Sequence, residues 1–288
     1  FSAFKLLPAL QGIYYSSSQI RGNIYSLENI IKNLRLNPPP ALSHNDISKS
    51  SLKKIEFKNV SFKYPKADNF AIKDVSLSFE RNKIIGITGK SGSGKSTFCD
   101  VLMGLLNHNN GSIEVNGIEA EIYENSAWLE KISYAPPQAR LIADSIENNI
   151  FFASSNSHSI NLIKKIVNLD FLTSSEDFKN LPTSNNLSAG QIQRLGLARA
   201  MARIAPELII LDEPTSALDN SNKLHFLQNL QTLKEKKIII LITHEIDILE
   251  ELDQILIFKD GVIESFGSFS EAYNESGELN LLIDPQNN

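Results

Sequence analysis

The sequence predicts an α/β fold in which a helix-covered parallel sheet stands beside an antiparallel β portion. Three observations carry that expectation. "ELIILD" (207–212) and "KIIILIT" (237–243) are continuous apolar runs of strand length, which suit parallel strands buried on both faces. "LKKIEFKNVSFKYP" (52–65) and "FAIKDVSLSF" (70–79) alternate apolar with polar residues, the period of antiparallel strands with one covered face. "KIIGIT" (83–88) reads as a short buried strand and runs directly into "GKSGSGKSTF" (89–98), a glycine-rich turn with a helix opening near Lys95.

The other elements follow in chain order. Residues 1–34 place Phe1, Phe4, Leu7, Leu10, Ile13, Ile20, Ile24, Leu27, Ile31 and Leu34 at spacings near three and four, with one gap of seven. That is a helical period; Pro8 is expected to kink it, and Gly12 and Gly22 to weaken it. "RLNPPPALSHNDISKS" then reads as a linker, extended near Pro38–Pro40. "GSIEVNG" (111–117) is a strand bounded by glycines. Helices are expected over 144–151, 158–170 and 189–204, and from about Leu218 to Lys234 between the two apolar runs. "QILIFKDGVIESFG" reads as a hairpin with Asp260–Gly261 at its turn.

Bulk composition narrows the function. With 288 residues, 42% apolar and 21% charged, the chain can bury one large core or two modest ones. A net charge of −5 argues against nonspecific nucleic-acid binding, which favours a basic balance. The single cysteine, Cys99, excludes an intrachain disulfide and any multi-cysteine zinc site; it is expected to be a small buried apolar residue. No run of 18 apolar residues offers a membrane span, and no signal peptide is expected in this stretch. A start at Phe1 rather than Met leads us to expect a piece of a longer protein.

Gly89, Gly94, Lys95 and Ser96 fit the pattern G-x-x-x-x-G-K-[ST], a P-loop. Glycines let the chain curl so that successive N–H groups point at phosphate oxygens. The helix N-terminus adds a field that favours negative charge. The binding stretch is therefore Gly89, Lys90, Ser91, Gly92, Ser93, Gly94, Lys95, Ser96 and Thr97. Lys95 would reach the β- and γ-phosphates, and the Ser96 hydroxyl would ligate magnesium. A second signal is "LIILDEP" (208–214), which sets Asp212 at the carboxyl end of an apolar strand, where the metal would sit, with Glu213 beside it to polarise an attacking water. A third is "LSAGQIQRLGLARAM" (187–201), a helix with Ser188 as N-cap and an anion-accepting N-terminus.

Together these three motifs, in this order and spacing, resemble the nucleotide-binding domain of an ATP-binding-cassette (ABC) protein, from roughly Leu52 to the C-terminus. The resemblance implies a P-loop NTPase core of the RecA type, an antiparallel β subdomain, and a helical signature subdomain over about 138–205. It implies ATP and Mg2+ as ligands and real ATPase activity, since the P-loop, Glu213 and His244 are all intact. Residue by residue, Tyr64 in "FKYP" matches the aromatic that stacks on adenine. Gln138 in "YAPPQ" matches the glutamine that touches magnesium and contacts the transmembrane partner. "SALD" (216–219) matches the loop that crosses the dimer interface, and His244 in "LITHE" matches the histidine that holds the γ-phosphate. Catalysis then falls to Glu213, His244 and Lys95, and the metal to Ser96, Gln138 and Asp212. In the family's head-to-tail dimer, Ser188 and Gly190 of one domain meet the γ-phosphate held by the other.

Two departures are visible. Ala189 stands where the family's signature has glycine; a helical φ there would make the added methyl cheap. The stretch "SSEDFKNLPTSNNLSAGQ" lacks the acidic-glycine motif that family exporters carry before the signature. Residues 1–34 resemble the cytoplasmic end of an exporter's last transmembrane helix, with 35–51 as linker and 52–288 as the cassette. "FKLLPAL" resembles the same place in flippases of lipid-linked oligosaccharides or polysaccharides. The implied partners are a transmembrane domain of the same chain and a second cassette, at the cytoplasmic face of the membrane, with no nucleic acid. A soluble cassette of DNA repair would need a long insertion for which about 90 residues leave no room. A regulatory, non-hydrolysing cassette would usually lack Glu213 or His244.

Overall fold

A computed structural model of the chain describes residues 2–35, 50–151, 160–169, 171–172, 187–203, 206–216 and 218–277. Most of the expected linker (36–49), the stretch 173–186 before the signature, Ala217 of "SALD" and the last eleven positions lie outside the described residues. The chain divides into two units, Phe1–Ser43 and His44–Asn288. The first contains helix α1 (Ser2–Arg35), which continues through Pro8. A proline costs one main-chain hydrogen bond and a clash at the preceding turn; here that disturbance does not end a helix of 34 residues. Leu6, Leu10, Ile13, Ile20 and Ile24 along it are exposed. Among the described residues, no helix is long and apolar enough to cross a membrane.

In the second unit, β1 (Lys54–Phe62) and β2 (Ile72–Glu80) pair antiparallel, as their alternation predicts. A further strand, β3 (Lys83–Thr88), leads into helix α2 (Lys95–Leu102). Next come β4 (Asn110–Val115) and the short β5 (Ile118–Glu119), which complete a four-stranded antiparallel sheet in the order β2-β1-β4-β5. Helix α3 (Ser126–Glu130), capped by Asn125, precedes β6 (Ile132–Ala135). Helices α4 (Ile146–Ile150), α5 (Ile160–Val167) and α6 (Ala189–Met201) form the helical portion. Strand β7 (Leu208–Asp212), helix α7 (Asn220–Leu233), strand β8 (Ile238–Ile242) and helix α8 (Ile246–Leu249) follow. The hairpin β9 (Gln254–Lys259) and β10 (Val262–Gly267) and helix α9 (Phe269–Glu275) close the described chain.

The larger sheet runs β10-β9-β3-β8-β7-β6, with β10 alone antiparallel. The apolar runs serve both of its faces. Ile238, Ile240, Ile242, Leu208 and Ile210 join Phe57, Phe79 and Phe98 in one core, whereas Ile239, Leu241, Ile209 and Leu211 join Leu195, Leu197 and Leu230 in another. Such alternation between two buried faces explains why these strands look uniformly apolar in sequence. Cys99 is buried in the first core, as expected.

This topology also positions the site. Strands β3, β6, β7 and β8 are parallel neighbours, so their carboxyl ends open on one side of the sheet. Beyond those four ends come the P-loop, Pro136–Gln138, Asp212–Glu213, and Thr243–His244. In open α/β sheets that edge is where ligands bind.

Candidate active site

The P-loop owes its shape to glycines held at positive φ. Gly89 has φ 135°, and a Cβ there would lie 2.1 Å from the Phe258 carbonyl oxygen; Gly94, with φ 107°, would meet the Ala71 oxygen at 2.5 Å. Only glycine fits those two places. Lys95 opens α2 and is buried. Its Nζ donates to the carbonyl oxygens of Gly89 (2.5 Å) and Lys90 (2.8 Å). An ammonium carries three donors, so the geometry draws the loop around the amine and leaves a donor for a ligand. The Ser93 hydroxyl is buried and has no hydrogen-bond partner among the described residues.

A cavity of about 680 Å³ opens over this loop. Ser91, Gly92, Gly94, Lys95, Ser96 and Thr97 line its floor; Tyr64, Gln138, Asp212, Glu213 and His244 line its sides. Thus Tyr64, most of the P-loop and the four later residues, from five separate stretches of sequence, meet in one place. Gly89, Lys90 and Ser93 shape the loop from behind the lining. Tyr64 is partly exposed, and its hydroxyl lies 3.2 Å from Thr97 Oγ1. Ser188 and Gly190 do not reach this cavity; they sit at the start of α6. Ser188 accepts from the Gln191 main-chain N–H, while the Gln191 side chain accepts from the Ser188 N–H, a reciprocal capping box. Ala189 is the first helical residue and has no positive φ, so its methyl is accommodated.

Electrostatics tie the cluster together. Burial, and then the adjacent Glu213 carboxylate, push the Asp212 carboxyl up to about 6, against the pull of Tyr134 and Lys95. Burial holds Lys95 below its ordinary value, although Asp212 and Glu213 favour its charge. Burial and the Lys95 ammonium likewise lower His244. A carboxylate that ionises reluctantly gains from a cation placed beside it. Hydroxyl, amide and carboxylate oxygens of Ser96, Gln138 and Asp212 share the cavity, and such all-oxygen donors suit a hard cation like Mg2+. The residues present therefore fit that ion.

Sequence reasoning passed over two residues. Tyr134 in β6 directs its hydroxyl at Asp212 Oδ2, a long 3.4 Å contact. Gln193 in α6 is buried and bonded to the turn that carries Glu213. Neither belongs to a spacing pattern; both roles arise from chain crossings.

Comparison with known proteins fits this geometry. A family model described as "ABC transporter" matches residues 72–216, half of the chain, including the P-loop, the signature helix and Asp212–Glu213. The chain belongs to the ABC transporter family. Its ABC ATPase domain is, as such, an ATP-binding domain. Among similar curated proteins, the "Putative export ATP-binding/permease protein" of Rickettsia bellii is 32% identical over 271 residues, covering 92% of this chain and 47% of the relative. The "ATP-dependent lipid A-core flippase" of Vibrio vulnificus is 30% identical over 285 residues, covering 96% and 48%. This ABC chain spans about half the length of the curated relatives it matches. A solved structure described as a bacterial Atm1-family ABC exporter with ATP bound superposes with TM-score 0.81 at 21% identity, over 94% of this chain and 48% of that one; it supports the ABC fold.

Proposed function

We propose that this chain binds Mg-ATP in the cavity at the strand ends, hydrolyses it to ADP and phosphate, and thereby powers export or flipping of a substrate by a transmembrane domain. One observation carries the reading. Lys95, Ser96, Gln138, Asp212, Glu213 and His244, far apart in sequence, line a single cavity over a glycine cradle.

The chain's residues divide the work. Main-chain N–H groups of the P-loop and the Lys95 ammonium hold the phosphates. Tyr64, at the cavity side, offers its ring to the adenine. Ser96, Gln138 and Asp212 would hold Mg2+. When bound, that ion neutralises charge on the β- and γ-phosphates. Glu213 orients and polarises the attacking water, and His244, whose charged form is disfavoured by burial and by the Lys95 ammonium, holds the γ-phosphate from the other side. Fixed donors aimed at developing charge supply most of such a rate enhancement.

Ser188 and Gly190 serve a second copy or a second cassette, meeting its γ-phosphate in a head-to-tail dimer. Neither residue lines this chain's own cavity, which supports that assignment. Residues 1–34 act as the cytoplasmic end of a last transmembrane helix, 35–51 as linker and 52–288 as the cassette, at the cytoplasmic face of a membrane. The names of the relatives, an export ATP-binding/permease protein and a lipid A-core flippase, support transport as the purpose of hydrolysis.

The test is Glu213→Gln in the purified chain. ATP hydrolysis should require Mg2+ and vanish in this variant, while ATP binding persists. Normal turnover by Glu213→Gln would remove that side chain from the mechanism.

A further inference from the structure

Gln193 is polar, yet only 7% exposed. It lies one turn into α6, the helix that begins with the Ser188 capping box. Its Nε2 donates to the main-chain carbonyl of Glu213 (2.6 Å) and to Ser216 Oγ (2.9 Å). The Ser216 hydroxyl donates to that same carbonyl (3.1 Å). Glu213 itself has φ 49°, the left-handed region that a non-glycine residue enters only at a cost. A strained peptide persists when its surroundings over-determine it. Here the surroundings are three donors on one carbonyl, the Ser216 main-chain N–H (3.3 Å), the Ser216 hydroxyl and Gln193 Nε2, the last delivered from helix α6.

On the far side of the same turn, Thr215 is buried and its hydroxyl donates to Glu245 Oε1 (2.8 Å). Glu245 is also ion-paired with Lys223. The turn 213–216 is therefore clamped from α6 on one side and from the chain beyond β8 on the other. Glu213 borders both the large cavity and a second groove of about 420 Å³ beside Gln193. A flip of its peptide would carry the carboxylate out of place.

We propose that Gln193 is a positioning residue for hydrolysis: by fixing the Glu213 carbonyl it locks the left-handed turn that aims the Glu213 carboxylate at the cavity. This rests on the reading of Glu213 as the water-orienting group. Gln193 also joins the signature helix, assigned above to the opposite site of a dimer, to the acid of its own site.

The test compares Gln193→Met, Gln193→Glu, Ser216→Ala and Glu213→Gln in the full 288-residue chain. Methionine keeps the shape and removes the donor. Glutamate sets an acceptor against the Glu213 carbonyl. We expect Gln193→Met to lower kcat about tenfold, equivalent to ~1.4 kcal/mol of transition-state free energy. KM and ATP affinity should stay within about twofold, the signature of an interaction felt after binding. Gln193→Glu should lose at least as much. Ser216→Ala, at an exposed position that tolerates the change, should lose about threefold and keeps the test open if the Gln193 variants fold poorly. A wild-type kcat in Gln193→Met beside an inactive Glu213→Gln overturns the positioning role and leaves the Glu213 reading intact. A raised KM at constant kcat overturns it too. Active Glu213→Gln instead overturns the underlying reading, whatever the Gln193 variants do.

Discussion

Replacing Asp212 by asparagine should make the Mg2+-free protein more stable at neutral pH. The Asp212 carboxyl is raised from 3.8 to about 6. At about 1.36 kcal/mol per pH unit, that rise corresponds to ~3 kcal/mol of penalty on the ionised form. Asp212 is only partly buried, and solvent screening brings the expected value to about 1–2 kcal/mol. The sign is that of an acid which binds its proton more tightly when folded. Stability falls as pH rises from about 4 to about 6, and the full penalty applies above that range. At pH 4.5 only about a third of it has developed. Asparagine keeps the size and removes the charge. Urea denaturation at pH 4.5, 6 and 7.5, with chelator present, reads the effect directly. The stabilisation should be largest at pH 7.5 and should shrink steadily on acidification. Equal stabilities at pH 7.5, or a gain that grows toward acid, would refute the view that burial and Glu213 disfavour the charged carboxylate at this strand end.

Other outcomes follow from packing and hydrogen bonding. Trp128 is fully buried, and its Nε1 donates to the Leu102 carbonyl (2.9 Å); Trp128→Ala should cost about 3–5 kcal/mol in chemical denaturation. Ala189→Gly should change ATP turnover less than about twofold, because the helical φ at that position accepts either residue, and stability should drop by no more than about 1 kcal/mol. Glu207 accepts from Lys131 Nζ (2.5 Å), the Leu52 N–H (2.5 Å) and the Ser51 hydroxyl (2.9 Å). Glu207→Gln should cost about 1–2 kcal/mol and speed hydrogen exchange at Leu52. Burial opposes ionisation of Glu207, but Lys131 and the two chain contacts outweigh it and lower the carboxyl. Its contribution is therefore present at neutral pH and fades as pH falls through the carboxylate range.

Most of the cavity could be read from sequence because its residues lie in local patterns. Gly89 to Thr97 announce themselves by composition and Asp212 by ending an apolar run, whereas Tyr64, Gln138 and His244 are singled out only by the resemblance to the family. Elements that depend on distant partners were harder to see. Strand β6 has four residues, and its buried Ser133 is compatible with a core only because its hydroxyl donates to the Ala200 carbonyl (2.6 Å). Nothing in "KISYA" signals that bond. Helices α3 and α8 have five and four residues, too short for a period to show. Gln193 looked like one more position on a capped helix; its contact with Glu213 spans 20 residues of chain and exists only after folding. In α1, where Pro8 is expected to kink the helix, the helix continues past the proline.

Strand β7 is held at both ends by charged residues with opposite duties. Glu207 at its entry grips Ser51 and Leu52, where the chain arrives from upstream, and Asp212 stands at its exit, about 16 Å away at the usual rise per residue. A strand hydrogen-bonded on both sides, as β7 is by β6 and β8, resists stretching. A pull on the incoming chain is thus taken up by the same rod that presents the two carboxylates.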